Sequence, residues 1–271
     1  MTTIQTSNGP LSYDERGSGP PIILLPSGGH VRGDYDELRE LLAPEMRTIA
    51  LDWPGHGESP PGIAPVTAML LADLAQEVVA ALAPDGAIVL GNSVGGFAAA
   101  RMAIRSPGLV RGLVIVDGGG FSSRPPRERA FCALMSRPRF LRAIYPAFAR
   151  SYMRAQTDAD GRALGAAVQT TRSDPGLGAV CGLWGSFASP EHDLRARAAE
   201  ITSPTLVIWG RRDPVIPLGA GRRVAGLIPG ARLATLHAGH VPFTSDPEGF
   251  ASHLLPFARA AIGAVAARTP A

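Results

Sequence analysis

The chain has 271 residues, of which 45% are hydrophobic, so it is long enough to bury a sizeable core. Its formal net charge is only +3, and no run of basic residues interleaves with aromatic ones, which argues against binding to nucleic acid. The N-terminus lacks a basic segment followed by an apolar one, and no apolar stretch is long enough to cross a bilayer. We therefore expect a cytoplasmic protein without stable membrane association.

Strands and helices are predicted to alternate along most of the chain. The turn signal Asn8-Gly9 predicts an N-terminal hairpin that pairs Thr3–Thr6 with Leu11–Arg16. Apolar runs predict buried strands at Ile22–Leu25, Arg47–Leu51, Ala87–Leu90, Leu109–Val116, Thr205–Trp209 and Arg232–Leu236. Periodic apolar residues predict helices at Asp34–Ala43, Thr67–Leu82, Val94–Arg105, Leu218–Leu227 and Pro247–Ala261. This alternation predicts an α/β fold in which helices cover both faces of a mostly parallel sheet.

The stretch from Phe121 to Ala199 interrupts the alternation, because it contains no apolar strand pattern. Helix-like pieces occur in it at Arg127–Ser136, Phe140–Ile144, Ala147–Ala155, Gly161–Thr171 and Gly178–Phe187. We therefore expect residues 1–120 and 200–271 to form the core around the sheet, with residues 121–199 inserted as a helical unit. Residues 266–271 are expected to form a frayed tail.

Arginine is concentrated in this insertion, which holds 12 of the 26 basic residues, all of them arginine. Between Arg124 and Arg154 the only acidic residue is Glu128. A solvated basic face is the simplest explanation for this bias. Two alternatives stay open, the steering of an anionic substrate and docking to an acidic membrane surface or partner.

The segment Gly91-Asn92-Ser93-Val94-Gly95 lies between a predicted strand and a predicted helix. A sharp turn at this place strains the serine backbone, and glycine on either side relieves the crowding around it. The helix that follows directs its N-terminus at the serine, which favours developing negative charge. The segment therefore predicts that Ser93 is a nucleophile.

A serine nucleophile needs a base, and the base needs a carboxylate to orient it. His240 directly follows the last predicted strand and is the first candidate for the base, with His237 as the alternative. Asp213 follows the preceding strand and is the first candidate for the carboxylate, with Asp117 as the alternative. The order serine, aspartate, histidine along the chain is one of the known orders of such triads.

Four segments together resemble the α/β-hydrolase superfamily over nearly the whole chain. They are Asp52-Trp53-Pro54-Gly55-His56-Gly57-Glu58-Ser59, the segment around Ser93, Trp209–Asp213 and Gly239-His240. The resemblance implies that the insertion at 121–199 is a helical cap. It also implies that the segment from Asp52 to Ser59, including His56, is architectural rather than catalytic.

The resemblance further implies an oxyanion hole beside Ser93. Members of the superfamily carry His-Gly after the third strand, where this chain has Pro26-Ser27 followed by Gly28-Gly29. The implied donors are the backbone N–H groups of Gly28 and Val94. Gly29 is the alternative to Gly28, because the loop departs from the family pattern.

These observations predict a serine hydrolase that cleaves a carboxylic ester or lactone with an apolar acyl part. The small-molecule substrate is expected to contact Trp184 and Gly29. Cys132 and Cys181 show no metal-ligand spacing, and the chemistry needs neither a metal nor a cofactor. The alternatives are a carbon–carbon bond hydrolase, a cofactor-free peroxidase or lyase with the same triad and, least favoured, a ligand-binding protein without catalysis. The sequence leaves the oligomeric state open.

Overall fold

The computed structural model describes residues 2–266 of the chain. Its eight-stranded sheet has the strand order β1-β2-β4-β3-β5-β6-β7-β8. The strands β1 to β8 are, in chain order, Thr2–Thr6, Gly9–Arg16, Pro21–Leu25, Arg47–Leu51, Ala87–Asn92, Val110–Val116, Thr205–Gly210 and Arg232–Leu236. β2 pairs antiparallel with β1 and β4, and the other neighbours pair in parallel. The predicted mostly parallel sheet and its N-terminal hairpin are confirmed.

Helices cover both faces of this sheet, as the alternation predicts. The helices α1 to α10 are, in chain order, Asp36–Leu42, Ala68–Leu82, Val94–Arg105, Pro126–Met135, Pro138–Met153, Asp158–Arg172, Asp174–Ser186, Leu218–Leu227, Pro242–Ser245 and Pro247–Ala266. Buried residues of α2, α3 and α8 form one apolar cluster with the sheet, whereas α1 and α10 belong to the cluster on the opposite face. No helix within residues 2–266 combines the length and the apolar character needed to cross a membrane.

Strand β3 is apolar at every position, as expected of a strand whose side chains leave it alternately to two covered faces. In β3, Ile23 and Leu25 join one cluster, whereas Ile22 and Leu24 join the other. All four side chains have an exposed fraction of 0%. This double burial explains why β3 can lie in the middle of the sheet, between β4 and β5.

Four helices, α4 to α7, lie in the chain between β6 and β7. One helix, α5, replaces the two separate pieces that the sequence predicts around Pro146, so that expectation is wrong. The helix continues through the proline because Leu141, Tyr145, Ala149 and Tyr152 recur at helical spacing and are all buried. The division into a core and a cap at residue 121 and residue 199 stays a prediction, and the expected tail lies, beyond Ala266, outside the described residues.

Candidate active site

Ser93 stands in the turn between β5 and α3 with a strained backbone conformation. Its φ is 56° and its ψ is −112°, and residues other than glycine rarely adopt a backbone conformation with such a positive φ. A Cβ atom at Gly91 would collide with the backbone of Gly95, and one at Gly95 would collide with the carbonyl of Leu25. The two glycines are therefore required by the close approach of backbone segments around the serine, as the sequence predicts.

His240 and Asp213 form a hydrogen-bonded pair next to this turn. The distance from His240 Nδ1 to Asp213 Oδ2 is 2.6 Å, and the two side chains are 4% and 0% exposed. Asp213 Oδ1 accepts hydrogen bonds from the backbone N–H groups of Val215 and Ile216, at 2.7 and 3.2 Å. Because a carboxylate only accepts, His240 Nδ1 carries the proton, and Nε2 keeps its lone pair.

Ser93 and His240 line the same cavity. Their side chains are not hydrogen-bonded to one another in the part of the chain that the structure describes, and such bonds are often long in proteins without a bound substrate. Asn92 fixes the two segments relative to each other, since its Nδ2 donates to the carbonyl oxygens of Val116 and His240, at 3.1 and 3.0 Å. Asn92 stands beside the predicted nucleophile, but no local sequence pattern predicts that its side chain joins these two segments.

The His240 loop also contacts the helical insertion directly. The His240 backbone N–H donates to the carbonyl of Tyr152, at 3.0 Å, and the two side-chain rings meet edge to face with centroids 5.6 Å apart. A Cβ atom at Gly239 would collide with the carbonyl oxygens of Tyr152 and Met153. Glycine before the histidine therefore allows the C-terminal end of α5 to approach the loop.

Asp117, the alternative carboxylate, lies behind Asp213 and does not hydrogen-bond to His240. Its oxygens accept from the backbone N–H of Gly210, at 3.0 and 3.2 Å. Burial and then the charge of Asp213 raise the pKa of Asp117 well above its ordinary value, which favours the protonated carboxyl. Asp213 is thus the carboxylate that orients the histidine in this geometry.

Ligand atoms of Asp117, Asp213 and His240 all lie within 4.8 Å of one another, a spacing that also suits a metal ion. Each of the three side chains already uses an atom in a hydrogen bond to the protein. The cluster is therefore explained as a network that holds the histidine.

His237, the alternative base, is exposed, and it is not among the described residues that line the cavity.

Gly28 and Val94 both line the cavity next to Ser93, as the oxyanion-hole prediction requires. Within residues 2–266, neither backbone N–H has a protein acceptor. A Cβ atom at Gly28 would stand 3.8 Å from the Val94 side chain, so the two donors come from adjacent segments. Two unpaired N–H groups at one wall of a cavity can stabilise a developing negative charge there.

Gly29 is buried, and it is not among the described residues that line the cavity. Its backbone N–H donates to His56 Nε2, at 3.0 Å, while His56 Nδ1 contacts the carbonyl of Pro54, at 3.0 Å. Burial lowers the pKa of His56 to about 4, which keeps the imidazole neutral and able to accept. The Gly29 donor is therefore engaged by His56, and this geometry favours Gly28 for the oxyanion.

The cavity has a volume of about 1030 Å³, and aromatic side chains of the insertion form one of its walls. Trp184 lines it, as predicted, and its ring contacts Phe131, Phe148 and Phe187 with centroid distances of 5.4, 5.9 and 5.3 Å. This wall comes from α4, α5 and α7 of the insertion. Such a wall suits an apolar group bound in the cavity that Ser93 also lines.

His192 also lines the cavity, although the sequence does not predict a role for it. Its ring stacks on Phe97, with centroids 4.3 Å apart, and lies 5.0 Å from the ring of Phe187. Burial lowers the pKa of His192 to about 4, and its Nε2 has no hydrogen-bond partner among residues 2–266. A histidine alone after Pro190-Glu191 carries no sequence signal that would predict this position.

A sequence model of the alpha/beta hydrolase fold matches residues 20–247 of the chain. A pimeloyl-[acyl-carrier protein] methyl ester esterase from Nitrosomonas europaea is 30% identical over 259 residues, which cover 89% of this chain and 97% of that protein. The protein of the same name from Chromobacterium violaceum is 29% identical over 266 residues, which cover 89% of this chain and 94% of that protein.

Solved structures show the same fold. A hydrolase from Pseudomonas aeruginosa superposes with a TM-score of 0.81 at 26% identity, covering 94% of this chain and 97% of that one. An enol-lactonase from Burkholderia xenovorans superposes with a TM-score of 0.82 at 22% identity, covering 94% of this chain and 99% of that one. The chain therefore belongs to the alpha/beta hydrolase fold family, and it is a hydrolytic enzyme of that family.

Proposed function

We propose that the protein hydrolyses a carboxylic ester or lactone with an apolar acyl part, and that it does so through an acyl-enzyme on Ser93. One observation carries the proposal. The strained Ser93, the His240–Asp213 pair and the unpaired N–H groups of Gly28 and Val94 are all arranged around one largely apolar cavity.

In the first half of the reaction, the Ser93 oxygen attacks the carbonyl carbon of the substrate, and His240 Nε2 takes the hydroxyl proton. Asp213 keeps the proton of His240 on Nδ1 and stabilises the imidazolium that forms. The carbonyl oxygen becomes an oxyanion and accepts from Gly28 and Val94. His240 then gives the proton to the alcohol, which leaves as the tetrahedral intermediate collapses to the acyl-enzyme.

In the second half, His240 removes a proton from a water molecule as that water attacks the acyl-enzyme. The collapse of the second intermediate returns the proton to Ser93 and releases the carboxylic acid. Each donor that faces the oxyanion contributes roughly 3–4 kcal/mol to the stabilisation of the transition state.

Labelling with a fluorophosphonate, read as intact mass, tests the nucleophile and its activation. We expect one adduct per chain on the wild type and none on Ser93→Ala or His240→Ala. A matched control, His253→Ala, removes an exposed histidine on α10 and should label like the wild type. Folded wild-type protein that stays unlabelled, and that also fails to cleave a small phenyl ester, would refute the proposal.

The second candidate function is hydrolysis of an ester carried by an acyl-carrier protein, the kind of substrate for which the Nitrosomonas and Chromobacterium relatives are named. Three exposed arginines line the cavity and favour it, namely Arg127, Arg195 and Arg223. Arg195 is paired with Asp193, at 2.8 Å, whereas Arg127 and Arg223 form no ion pair within residues 2–266. Unpaired positive charge at a cavity entrance attracts an anionic carrier.

Charge reversal at this entrance separates the two candidates. For a carrier-bound ester, Arg127→Glu and Arg223→Glu should raise KM at least tenfold, with an effect that weakens as salt rises. Arg222→Glu on the same helix is the matched control, because Arg222 is exposed but does not line the cavity. Equal KM values for all three variants would exclude the carrier-bound substrate and leave the small ester or lactone.

The reaction is placed in the cytoplasm as part of this proposal. Cys132 and Cys181 are buried free thiols, which suits a reducing compartment.

A further inference from the structure

A second group of buried ionisable side chains lies beside the cavity and has no part in the proposed triad chemistry. His30 Nδ1 contacts Asp34 Oδ2 at 2.5 Å, and His30 Nε2 contacts the Tyr152 hydroxyl at 2.8 Å. The Tyr152 hydroxyl in turn contacts the Tyr145 hydroxyl at 3.2 Å. Together Asp34, His30, Tyr152 and Tyr145 form a continuous hydrogen-bonded chain, which we call the tyrosine relay.

The tyrosine relay begins in the core and ends at the cavity. Tyr145 and Tyr152 both line the cavity, although their exposed fractions are only 2% and 4%. The Tyr145 hydroxyl packs on Gly29, so closely that a Cβ atom at that glycine would collide with it. Tyr145 therefore contacts the loop that carries the expected oxyanion donor Gly28, and both residues line the same cavity.

The partners at the buried end set the direction of every hydrogen bond in the relay. With Asp34 as a carboxylate, which can only accept, and the ring proton of His30 on Nδ1, Nδ1 donates to Asp34 and Nε2 accepts from Tyr152. The Tyr152 oxygen then accepts from the Tyr145 hydroxyl. Burial raises the pKa of Tyr145 to about 12 and that of Tyr152 well above its ordinary value, so both phenols keep their protons at neutral pH.

The Tyr145 proton is consequently used inside the relay, and only lone pairs of its oxygen stay available. We propose that the tyrosine relay fixes the Tyr145 oxygen as a hydrogen-bond acceptor in the acyl pocket, so that the enzyme prefers acyl groups with a hydroxyl near the carbonyl over those with a keto group there. The inference rests on the proposed function, because it takes the scissile carbonyl to be held by Gly28 and Val94.

The test compares methyl hexanoate esters that carry a hydroxyl or a keto group at carbon 3. For each protein we would measure the ratio of kcat/KM for the hydroxy ester to kcat/KM for the keto ester. Dividing the ratio of each variant by the ratio of the wild type cancels the difference in intrinsic reactivity between the two esters. Tyr145→Phe should lower this ratio about tenfold, because the acceptor is lost. Tyr13→Phe is the matched control on β2, with the wild-type ratio expected.

Tyr152→Phe is the sharper variant, because it leaves Tyr145 and the backbone contact to His240 in place. Without the Tyr152 oxygen, the Tyr145 hydroxyl has no acceptor in the relay and is free to donate to the keto ester. We expect the ratio to fall at least tenfold. A ratio within twofold of the wild type in either Tyr145→Phe or Tyr152→Phe, with both proteins folded by circular dichroism, overturns the inference.

Failure of the proposed function gives a different result. In that case the wild type hydrolyses neither ester. The inference is then tested by binding instead, with the Kd values of both esters for Ser93→Ala protein measured by calorimetry. The same fall of the Kd preference in Ser93→Ala/Tyr145→Phe supports the relay, and an unchanged preference contradicts it.

Discussion

Replacing Asp213 by asparagine tests the hydrogen-bond logic of the site, because the two carboxylate oxygens have different partners. One oxygen accepts from the N–H groups of Val215 and Ile216, and the other accepts from His240 Nδ1. An asparagine that keeps its oxygen on the two backbone donors must turn its amide group toward Nδ1. Nδ1 then has to accept, the ring proton moves to Nε2, and Nε2 can no longer take the proton of Ser93.

The opposite amide orientation preserves the histidine but leaves two buried N–H groups without an acceptor. Each such group costs about 1–3 kcal/mol, so this orientation lies roughly 2–6 kcal/mol higher. At about 1.4 kcal/mol for each factor of ten, the active orientation is populated in roughly 1 molecule in 30 to 1 in 10⁴. The variant also loses the negative charge that stabilises the imidazolium. We therefore expect kcat to fall by roughly 10³ to 10⁴.

The assay is steady-state hydrolysis of a short phenyl ester by Asp213→Asn protein, with folding checked by near-ultraviolet circular dichroism. Asp174→Asn is the matched control, because the Asp174 side chain is 90% exposed and its ion pair with Arg142 lies at the surface. Its kcat should equal that of the wild type. If folded Asp213→Asn keeps more than a thirtieth of the wild-type kcat, Asp213 does not control the tautomer of His240 and the reasoning is refuted.

Three further predictions follow from other contacts. Asp117→Asn should lower kcat less than about tenfold, because an amide can replace a protonated carboxyl as donor beside Asp213; a loss as large as that of Asp213→Asn in the same assay would contradict this role. Gly95→Ala should lower the free energy of unfolding by more than about 3 kcal/mol, because its Cβ would collide with the Leu25 carbonyl. Gly161→Ala in α6, where no described atom lies within 4 Å of the added Cβ, should raise the free energy of unfolding by about 0.5–1 kcal/mol. Denaturant unfolding measures both values, and equal values would count against crowding at Gly95. His192→Phe should make the free energy of unfolding less sensitive to acid. Folding lowers the pKa of His192 from 6.5 to about 4. The contribution of the neutral ring to the free energy of unfolding is therefore complete above pH 6.5 and declines as the pH falls toward 4. Between pH 7.5 and pH 5 the wild type should thus lose about 2 kcal/mol more unfolding free energy than this variant, and parallel losses would show that the buried ring does not titrate in this way.

Local patterns along the chain predict the sheet, the elbow at Ser93 and the roles of Asp213 and His240 in the candidate site. Each of these features depends on residues that are close in sequence to a strand end. The apolar runs define the strands, and parallel strands bring their carboxyl ends to one edge. Gly91 and Gly95 are readable for the same reason, because they serve a turn within their own segment.

The remaining features of the site depend on contacts between distant segments. Tyr152 lies 122 positions from His30, and no local pattern indicates that their side chains meet. The engagement of Gly29 by His56 likewise joins two loops, so the sequence leaves the choice between Gly28 and Gly29 open. Pro146 misleads a local reading, because burial of one helical face outweighs the hydrogen bond that the proline removes.

The contact between α5 and the His240 loop has a consequence for how this protein can diverge or be engineered. Substrate range is usually altered by exchanging or reshaping the segment above the nucleophile while the catalytic machinery is left alone. Here the carbonyl of Tyr152 holds the backbone of the proposed general base, at 3.0 Å. A chimera that replaces α5 with the equivalent helix of a relative should therefore change turnover together with selectivity, unless the new helix ends at the same place. Libraries for new substrates are better directed at α4 and α7, where Phe131 and Trp184 line the cavity and pack against each other.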